Sequence, residues 1–307
     1  MMEWTWTKAN EKELAQFATD SALQLFNLDV SSFDLIREEQ FESLIEAIYN
    51  TLVEQKVKYD LEKFSTAETH QRIRTPVEIL SQPRQGTCLD LAILFCGLCL
   101  GCNLLPKLII LEGHAIVAVS LVHNRKDWNS TKEQQKKFLG KRVKDSQGSE
   151  RIEPEVFKDL DGLKDLIENG IYLAVECTGF AYSKTLSPDS TELAGATRNT
   201  EGFLSFEQSK EVGRKQLDRL PFRYAIDIAV AHEFWGIKPK TIEAPSGWDK
   251  LAATRLVKVS QKVGLLDNAV LEGAVVSGEA ASGEFHITQE IETMQGGASA
   301  TGYKGNA

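Results

Sequence analysis

Apolar residues run almost unbroken from Leu89 to Leu100, which is the strongest hydrophobic feature of the chain. Thr87 stands before this run and Gly101 directly after it, a pattern typical of the two ends of a helix. Asp90, three residues after Thr87, completes a variant of the capping box in which Asp replaces the usual Glu or Gln. The pattern therefore predicts a buried helix that begins at Cys88.

Strand-like segments follow this helix along the chain. Leu108–Leu111 is apolar and β-branched, and Ala115–Val122 has the same character directly after Gly113 and His114. A third segment, Ile171–Gly179, is a strand by composition and carries an acidic residue near its end. A histidine thus stands at the start of one predicted strand, and a carboxylate stands late in another.

Helical periodicity dominates the chain on both sides of this region. Before about Lys63, two stripes of apolar residues predict lead-in helices that pack on the core. Capping boxes at Thr75 and Ser205 each mark another helix start. One further helix is predicted with Phe157, Leu160, Leu163 and Ile167 on its inner face. Two more are predicted from about Tyr224 to Trp235 and from Trp248 to Leu266.

Two polar stretches lie outside this pattern. The insertion from His123 to Gly170 begins with a basic stretch, Lys132 to Lys144, which is interpreted as a solvated loop, with contact to an acidic substrate as the alternative. A lid over a nearby cleft is the functional hypothesis for the insertion as a whole. After about Asn268 the chain holds seven of its 22 glycines and few large apolar residues. This composition favours a flexible tail, and the alternative is a small β element that docks on a partner protein or on another copy of the chain.

Composition excludes several classes of protein. The 307 residues are 42% hydrophobic and 26% charged, as in an ordinary globular protein, and the net charge of -9 argues against a general nucleic-acid binder. The first residues lack the basic and apolar regions of a signal peptide. The run Leu91–Cys102 is too short to cross a bilayer, and the five cysteines form no obvious disulfide framework. We therefore expect a cytoplasmic protein that acts without nucleic acid or membrane.

The chemistry suggested by these positions is that of a nucleophilic thiol. The positive end of the helix dipole favours a thiolate at Cys88, and a nearby imidazole, for which His114 is the best candidate, would stabilise it further. Gln82 is the candidate side-chain donor to an oxyanion, alongside the backbone N–H of Cys88, and Gln85 competes with it for this role. Glu176, late in an apolar strand, needs a buried partner or a function, and orienting the imidazole of His114 supplies both.

Three further cysteines within the predicted helix suggest an alternative. Cys96, Cys99 and Cys102 recur every third residue, a spacing that resembles part of a zinc or iron–sulfur ligand set. Without a fourth ligand nearby, and with a spacing that drifts around the helix, they are interpreted as buried core residues. Neither a metal nor a cofactor is expected.

Taken together, the motifs G-T-C-L-D-L-A, G-H-A-I-V-A-V and A-V-E-C-T-G resemble the transglutaminase-like superfamily of papain-like cysteine enzymes. The resemblance covers roughly Thr75 to Gly179 and implies Cys88 as nucleophile, His114 as base and Glu176 as orienting acid. Many members have Asp where Glu176 stands. The implied fold is α+β, a papain-like core with helices packed on an antiparallel sheet. Its parts are a helical lead-in (1–74), the catalytic core (75–245), and a helix with a Gly-rich, flexible tail (246–307).

The resemblance also implies a reaction through a thioester on a protein or peptide substrate. With water as acceptor the protein is a cysteine protease or an amidase, and with an amine it is a transglutaminase. Hydrolysis is favoured, because peptidases and amidases are common among bacterial-type members. The rival interpretation is a non-catalytic module that keeps the fold for protein binding.

Overall fold

A computed structural model describes residues 8–28, 30, 33, 36–60, 72–125, 141–144, 150–153, 157–183, 198–233 and 235–259. The helices are α1 (Lys8–Phe17), α2 (Phe41–Glu54), α3 (Pro76–Leu80), α4 (Cys88–Gly101), α5 (Leu160–Glu168), α6 (Phe206–Arg219) and α7 (Ile228–Glu233). The strands are β1 (Phe26–Asn27), β2 (Lys58–Tyr59), β3 (Gln85–Gly86), β4 (Pro106–Leu111), β5 (His114–Ser120), β6 (Lys141–Lys144), β7 (Glu150–Glu153), β8 (Tyr172–Val175), β9 (Phe222–Asp227) and β10 (Leu251–Ala252). Short 3-10 segments lie at Asp20–Leu25, Glu38–Gln40 and Cys177–Phe180.

A four-stranded sheet in the order β8-β5-β4-β9 forms the centre of the fold, and every neighbouring pair is antiparallel. Strands β4 and β5 are almost entirely apolar and buried, and they are joined by a tight turn in which Gly113 takes a φ of 71°. That left-handed conformation suits glycine because it has no Cβ. Helices together with an antiparallel sheet confirm the α+β class.

Helix α4 lies against this sheet and is the most buried helix of the described residues. It packs on β4, β5, α2 and the two 3-10 segments at Asp20–Leu25 and Cys177–Phe180. Residues 89–100 are all buried, so the helix is apolar on every side. Its predicted start at Cys88 and the capping box of Thr87 with Asp90 are confirmed.

The other two predicted capping boxes are also present. Thr75 caps α3 with Glu78, and Ser205 caps α6 with Gln208. Helix α6 approaches the sheet closely at Gly213, where an added Cβ would lie 3.0 Å from the backbone nitrogen of Val175. A glycine at this position therefore lets the helix pack directly on the backbone of β8.

Two predicted helices are wrong in part. The stretch from Tyr224 to Trp235 begins as strand β9, which pairs with β4, and only Ile228–Glu233 is helical. The stretch from Trp248 includes β10, which pairs in parallel with β1, and residues 254–259 are helical, while residues 260–266 of the predicted helix lie outside the described residues. In both cases backbone hydrogen bonds to a distant strand outweigh a helical pattern that is ambiguous over a short apolar run.

The insertion between β5 and β8 contains more structure than the expected loop. Strands β6 and β7 pair within it, and α5 confirms the helix predicted there, with Leu163 buried and Gly170 at a φ of 69° after its last turn. Phe157 lies before α5 rather than in it and exchanges backbone hydrogen bonds of 2.9 and 2.8 Å with Ala225.

The third predicted strand ends earlier than expected, because β8 stops at Val175 and Glu176 caps the following 3-10 turn. The described residues through Leu256 belong to one compact unit. The Gly-rich tail predicted after about Asn268 lies outside the described residues, and the three-part division of the chain stays a prediction.

Candidate active site

Cys88 is the first residue of α4 and is partly exposed. Thr87 and Asp90 fix the helix start, since the Asp90 N–H donates to Thr87 Oγ1 over 3.3 Å and the Thr87 N–H donates to Asp90 Oδ2 over 3.0 Å. The N–H of Cys88 stands at a helix position whose N–H has no acceptor within the helix. The thiol and the backbone N–H of Cys88 therefore lie at the positive end of the helix dipole.

A partly buried ion pair holds this helix start in place. Asp90 is completely buried, and its Oδ1 accepts the backbone N–H of Arg74 over 2.8 Å. The guanidinium of Arg74 donates from Nη1 to Asp90 Oδ2 over 2.7 Å. Because a buried carboxylate requires such partners, Arg74 supports the cap of α4.

His114 is the first residue of β5 and stands opposite Leu111 at the hairpin end of the sheet. Its side chain is only 5% exposed. Its Nε2 lies 2.7 Å from Glu176 Oε2, and the thiol of Cys88 is a second hydrogen-bond partner of the imidazole. Since Glu176 occupies Nε2, Nδ1 is the ring nitrogen available to the thiol. The structure thus brings Cys88, His114 and Glu176 into one hydrogen-bonded chain.

Glu176 is completely buried, and both of its carboxylate oxygens are engaged. Oε2 faces His114, while Oε1 accepts the backbone N–H of Thr178 over 2.9 Å and its hydroxyl over 2.7 Å. The main chain of Glu176 is held as well. Its N–H donates to the carbonyl of Ser209 over 3.1 Å, and its carbonyl accepts the Ser209 hydroxyl over 2.9 Å.

The electrostatics of the pair formed by His114 and Glu176 favour its charged form. Burial alone lowers the pKa of His114, but the negative charge of Glu176 and the hydrogen bonds to Cys88 and Glu176 outweigh burial and raise that pKa to about 10. Burial alone raises the pKa of Glu176, yet the charge of His114 and the hydrogen bonds from His114 and Thr178 bring that pKa below its ordinary value. An imidazolium beside a carboxylate is therefore favoured at neutral pH.

The two candidate oxyanion donors lie on the segment that leads into α4. Gln82 is exposed in the turn after α3. Gln85 is half-buried in β3, opposite Lys58 of β2. The role of Gln82 stays a prediction, and so does the competition from Gln85.

The remaining cysteines differ from Cys88 in their surroundings. All five are free thiols, and Cys96, Cys99, Cys102 and Cys177 are fully buried. Burial raises the pKa of each of these four thiols. Within the described ranges, no group of His, Cys, Asp and Glu side chains is arranged to hold a metal ion. None of the helices described is both long and apolar enough to cross a membrane.

Comparison with protein families bears on this arrangement. A family model described as a transglutaminase-like domain matches residues 32–126. This match confirms the resemblance to the transglutaminase-like superfamily. The matched segment contains Cys88 and His114, whereas Glu176 lies beyond it. Comparison with the curated proteins and with the solved structures finds no match. A transglutaminase-like domain is usually a cysteine enzyme.

Sequence reasoning missed several residues that support the candidate site. Thr178 could have been found, because a side-chain acceptor that bonds the N–H two residues later is a common local capping pattern. Arg74 and Ser209 have no comparable signal. Arg74 lies 16 residues from Asp90, and Ser209 lies 33 residues from Glu176, so only folding brings each residue to its partner.

Proposed function

We propose that the chain is a cysteine-dependent hydrolase, a peptidase or an amidase, with a papain-like core and a Cys88–His114–Glu176 triad. Its substrate is a protein or peptide. The observation that carries this proposal is the buried contact of 2.7 Å between His114 Nε2 and Glu176 Oε2, with the Cys88 thiol as the other partner of the same imidazole. A carboxylate that orients an imidazole beside a nucleophile is the arrangement used in acyl transfer.

In the first half-reaction the proton of the Cys88 thiol already lies on the His114 imidazole, and the thiolate sulfur of this ion pair forms a bond to the carbonyl carbon of the substrate amide. The electron pair of the C=O bond moves to oxygen, where the N–H of Cys88 and the side chain of Gln82, or of Gln85, donate to it. The C–N bond then breaks as the carbonyl re-forms. The leaving nitrogen takes the proton from the His114 imidazolium, and a thioester remains on sulfur.

In the second half-reaction the neutral imidazole of His114 takes a proton from water, and the hydroxide oxygen adds to the thioester carbon. The C–S bond breaks, the carboxylic product leaves, and the Cys88 thiolate is restored beside the His114 imidazolium. Glu176 stabilises the imidazolium in both halves by its charge and its hydrogen bond. An amine in place of water gives a new amide, so the acceptor distinguishes a hydrolase from a transglutaminase.

The first test measures the reactivity of each thiol. Iodoacetamide is added near neutral pH, and mass spectrometry gives the rate at each cysteine. We expect Cys88 to react at least about tenfold faster than Cys96, Cys99 or Cys102, because an ion-paired, accessible thiolate is the reactive form. Cys102→Ala is the control and should leave the rate at Cys88 unchanged. Slow and equal labelling of all five cysteines contradicts the proposal and favours the binding module.

The second test identifies the reaction. Wild-type protein and Cys88→Ala are incubated with a proteome and a tagged primary amine, and three products are measured. New N-termini indicate a peptidase, deamidated glutamines an amidase, and incorporation of the amine a transglutaminase. Each product must be absent with Cys88→Ala. Products that form equally with both proteins show that Cys88 carries no chemistry.

A further inference from the structure

The two oxygens of the Glu176 carboxylate have different partners. Oε2 lies 2.7 Å from His114 Nε2, and Oε1 accepts two hydrogen bonds from Thr178. A glutamate side chain has three rotatable bonds, the last of them broad, so burial alone does not set the plane of its carboxylate. Two donors on one oxygen set that plane and leave the other oxygen directed at the imidazole.

We propose that Thr178 is a positioning residue of this site: its backbone N–H and hydroxyl hold one oxygen of Glu176 so that the other oxygen orients the imidazole of His114. The proposal rests on the function proposed above and deepens it. Thr178 touches neither substrate nor thiol in this scheme. It acts through Glu176 alone, and that dependence can be tested.

The turn that carries Thr178 is itself held firmly. The guanidinium of Arg198 donates from Nη2 to the Thr178 carbonyl over 3.2 Å and from Nη1 to the Ala181 carbonyl over 2.9 Å. Phe180 in the same turn is fully buried and makes an edge contact with the ring of Tyr49, the centroids 5.6 Å apart. Thr178 is therefore anchored from both sides and provides fixed donors rather than following the carboxylate.

The hydroxyl of Thr178 is separable from the rest of the turn. Thr178→Val removes the hydroxyl and keeps the branched shape, while the backbone N–H and the contacts of Arg198 remain. Thr178→Ser keeps the hydroxyl and should restore the wild-type behaviour. If Thr178→Val does not fold, Thr178→Ala takes its place, because it removes the hydroxyl without placing a methyl group against the carboxylate.

The measurement is the rate of alkylation of Cys88 by iodoacetamide as a function of pH, which requires no substrate. At pH 6.5 the thiolate depends on the oriented imidazole, and we expect Thr178→Val to react about tenfold more slowly than wild type, the scale of one hydrogen bond to a charged group. Near pH 9.5 the gap should close, because a cysteine without help ionises at about 8.5. A purely structural defect would not depend on pH in this way.

Two controls isolate the role of Thr178. Thr51→Val is the matched variant, because Thr51 is also fully buried and its hydroxyl has no hydrogen-bond partner among the described residues. It should label at the wild-type rate at every pH. In the second control, adding Thr178→Val to Glu176→Gln should produce no further slowing, since a residue that acts through Glu176 loses its effect in that background.

The outcomes separate this proposal from the function on which it rests. Slow labelling of wild-type Cys88 at pH 6.5 overturns the proposed function and this inference with it. Fast labelling of wild type together with an unchanged rate in Thr178→Val overturns the positioning role alone. Equal slowing by Thr178→Val with and without Glu176→Gln also overturns it, because Thr178 then acts independently of Glu176.

Discussion

Helix α4 has a cysteine at each end, and the two ends are built differently. Cys88 at the first position is partly exposed, with a capping box beside it and the imidazole of His114 within hydrogen-bonding reach. Cys102, directly after the last residue, is 1% exposed, and burial raises the pKa of its thiol. One residue type therefore serves as candidate nucleophile at one end and as core at the other.

The difference lies in what each end of the helix packs against. The N-terminal end lies beside His114 at the hairpin end of the sheet, where the imidazole is bonded to Glu176. Toward the C-terminal end, an added Cβ at Gly97 would lie 2.5 Å from the carbonyl oxygen of Thr19, and one at Gly101 would meet the side chain of Leu23. Changes at the first end should therefore affect chemistry, and changes at the second should affect stability.

The largest expected effect is that of Cys88→Ala. Removal of the nucleophile should lower turnover by about four orders of magnitude or more, with a change of only about 0.5 kcal/mol in the free energy of unfolding. Cys102→Ala should do the reverse, keeping turnover while losing about 1 kcal/mol of stability as a small cavity forms. Turnover is measured on a substrate found by profiling, and stability by urea denaturation. Retained turnover in Cys88→Ala would remove the distinction between the two ends.

The next largest effect should come from Glu176→Gln, which keeps the shape of the side chain but removes its charge. Turnover should fall by about 10²-fold or more, because the imidazolium loses its buried counter-charge and the neutral imidazole loses its preferred tautomer. Thermal denaturation should show a folded protein. A variant that mainly unfolds, with normal turnover in the folded fraction, would make Glu176 a structural residue.

The oxyanion donor is tested by comparing Gln82→Ala with Gln85→Ala. Loss of one such donor typically lowers turnover by about 10²-fold, and we expect this for Gln82→Ala with the alkylation rate of Cys88 unchanged. Because Gln82 is exposed, the free energy of unfolding of the Gln82→Ala variant should change by no more than about 0.5 kcal/mol. If Gln85→Ala alone lowers turnover, Gln85 is the donor and the competing assignment is correct.

At the C-terminal end, Gly97→Ala should lower the free energy of unfolding by about 2–3 kcal/mol, because its Cβ would collide with the backbone of Thr19. Gly101→Ala is the control and should lose less, since it meets the flexible end of the Leu23 side chain. Both variants should alkylate at Cys88 as wild type does under native conditions. A slower reaction at Cys88 in either would show that the two ends are coupled.

The smallest effect is the pH dependence of stability. The pKa of His114 is raised from 6.5 to about 10, so its contribution is fully present below about 6.5 and is lost as the pH rises towards 10. The pKa of Glu176 is lowered from 4.5, so its contribution is present above 4.5 and is lost as the pH falls further. The stability gap between wild type and Glu176→Gln should therefore be widest between about pH 4.5 and 6.5. Urea denaturation from pH 4 to 10 measures it, and a gap that does not vary with pH contradicts the charged pair.

Features set by neighbouring residues could be predicted from the sequence. Helix α4 follows from an apolar run and a capping box that closes over three residues, and both act within the helix itself. The caps at Thr75 and Ser205 follow for the same reason. Cys88 and His114 could be singled out because each stands at the start of an element, where a side chain reaches the edge of the core.

Features that depend on distant partners were decided by the tertiary structure. Phe222–Asp227 is a strand because β4 offers it an edge to pair with, although its own pattern permits a helix. Contacts in the folded chain decide which oxygen of Glu176 faces His114, and they place Thr178 on the other oxygen. The physical reason is the same in each case: local preferences differ by little, and hydrogen bonds and burial against remote segments outweigh them.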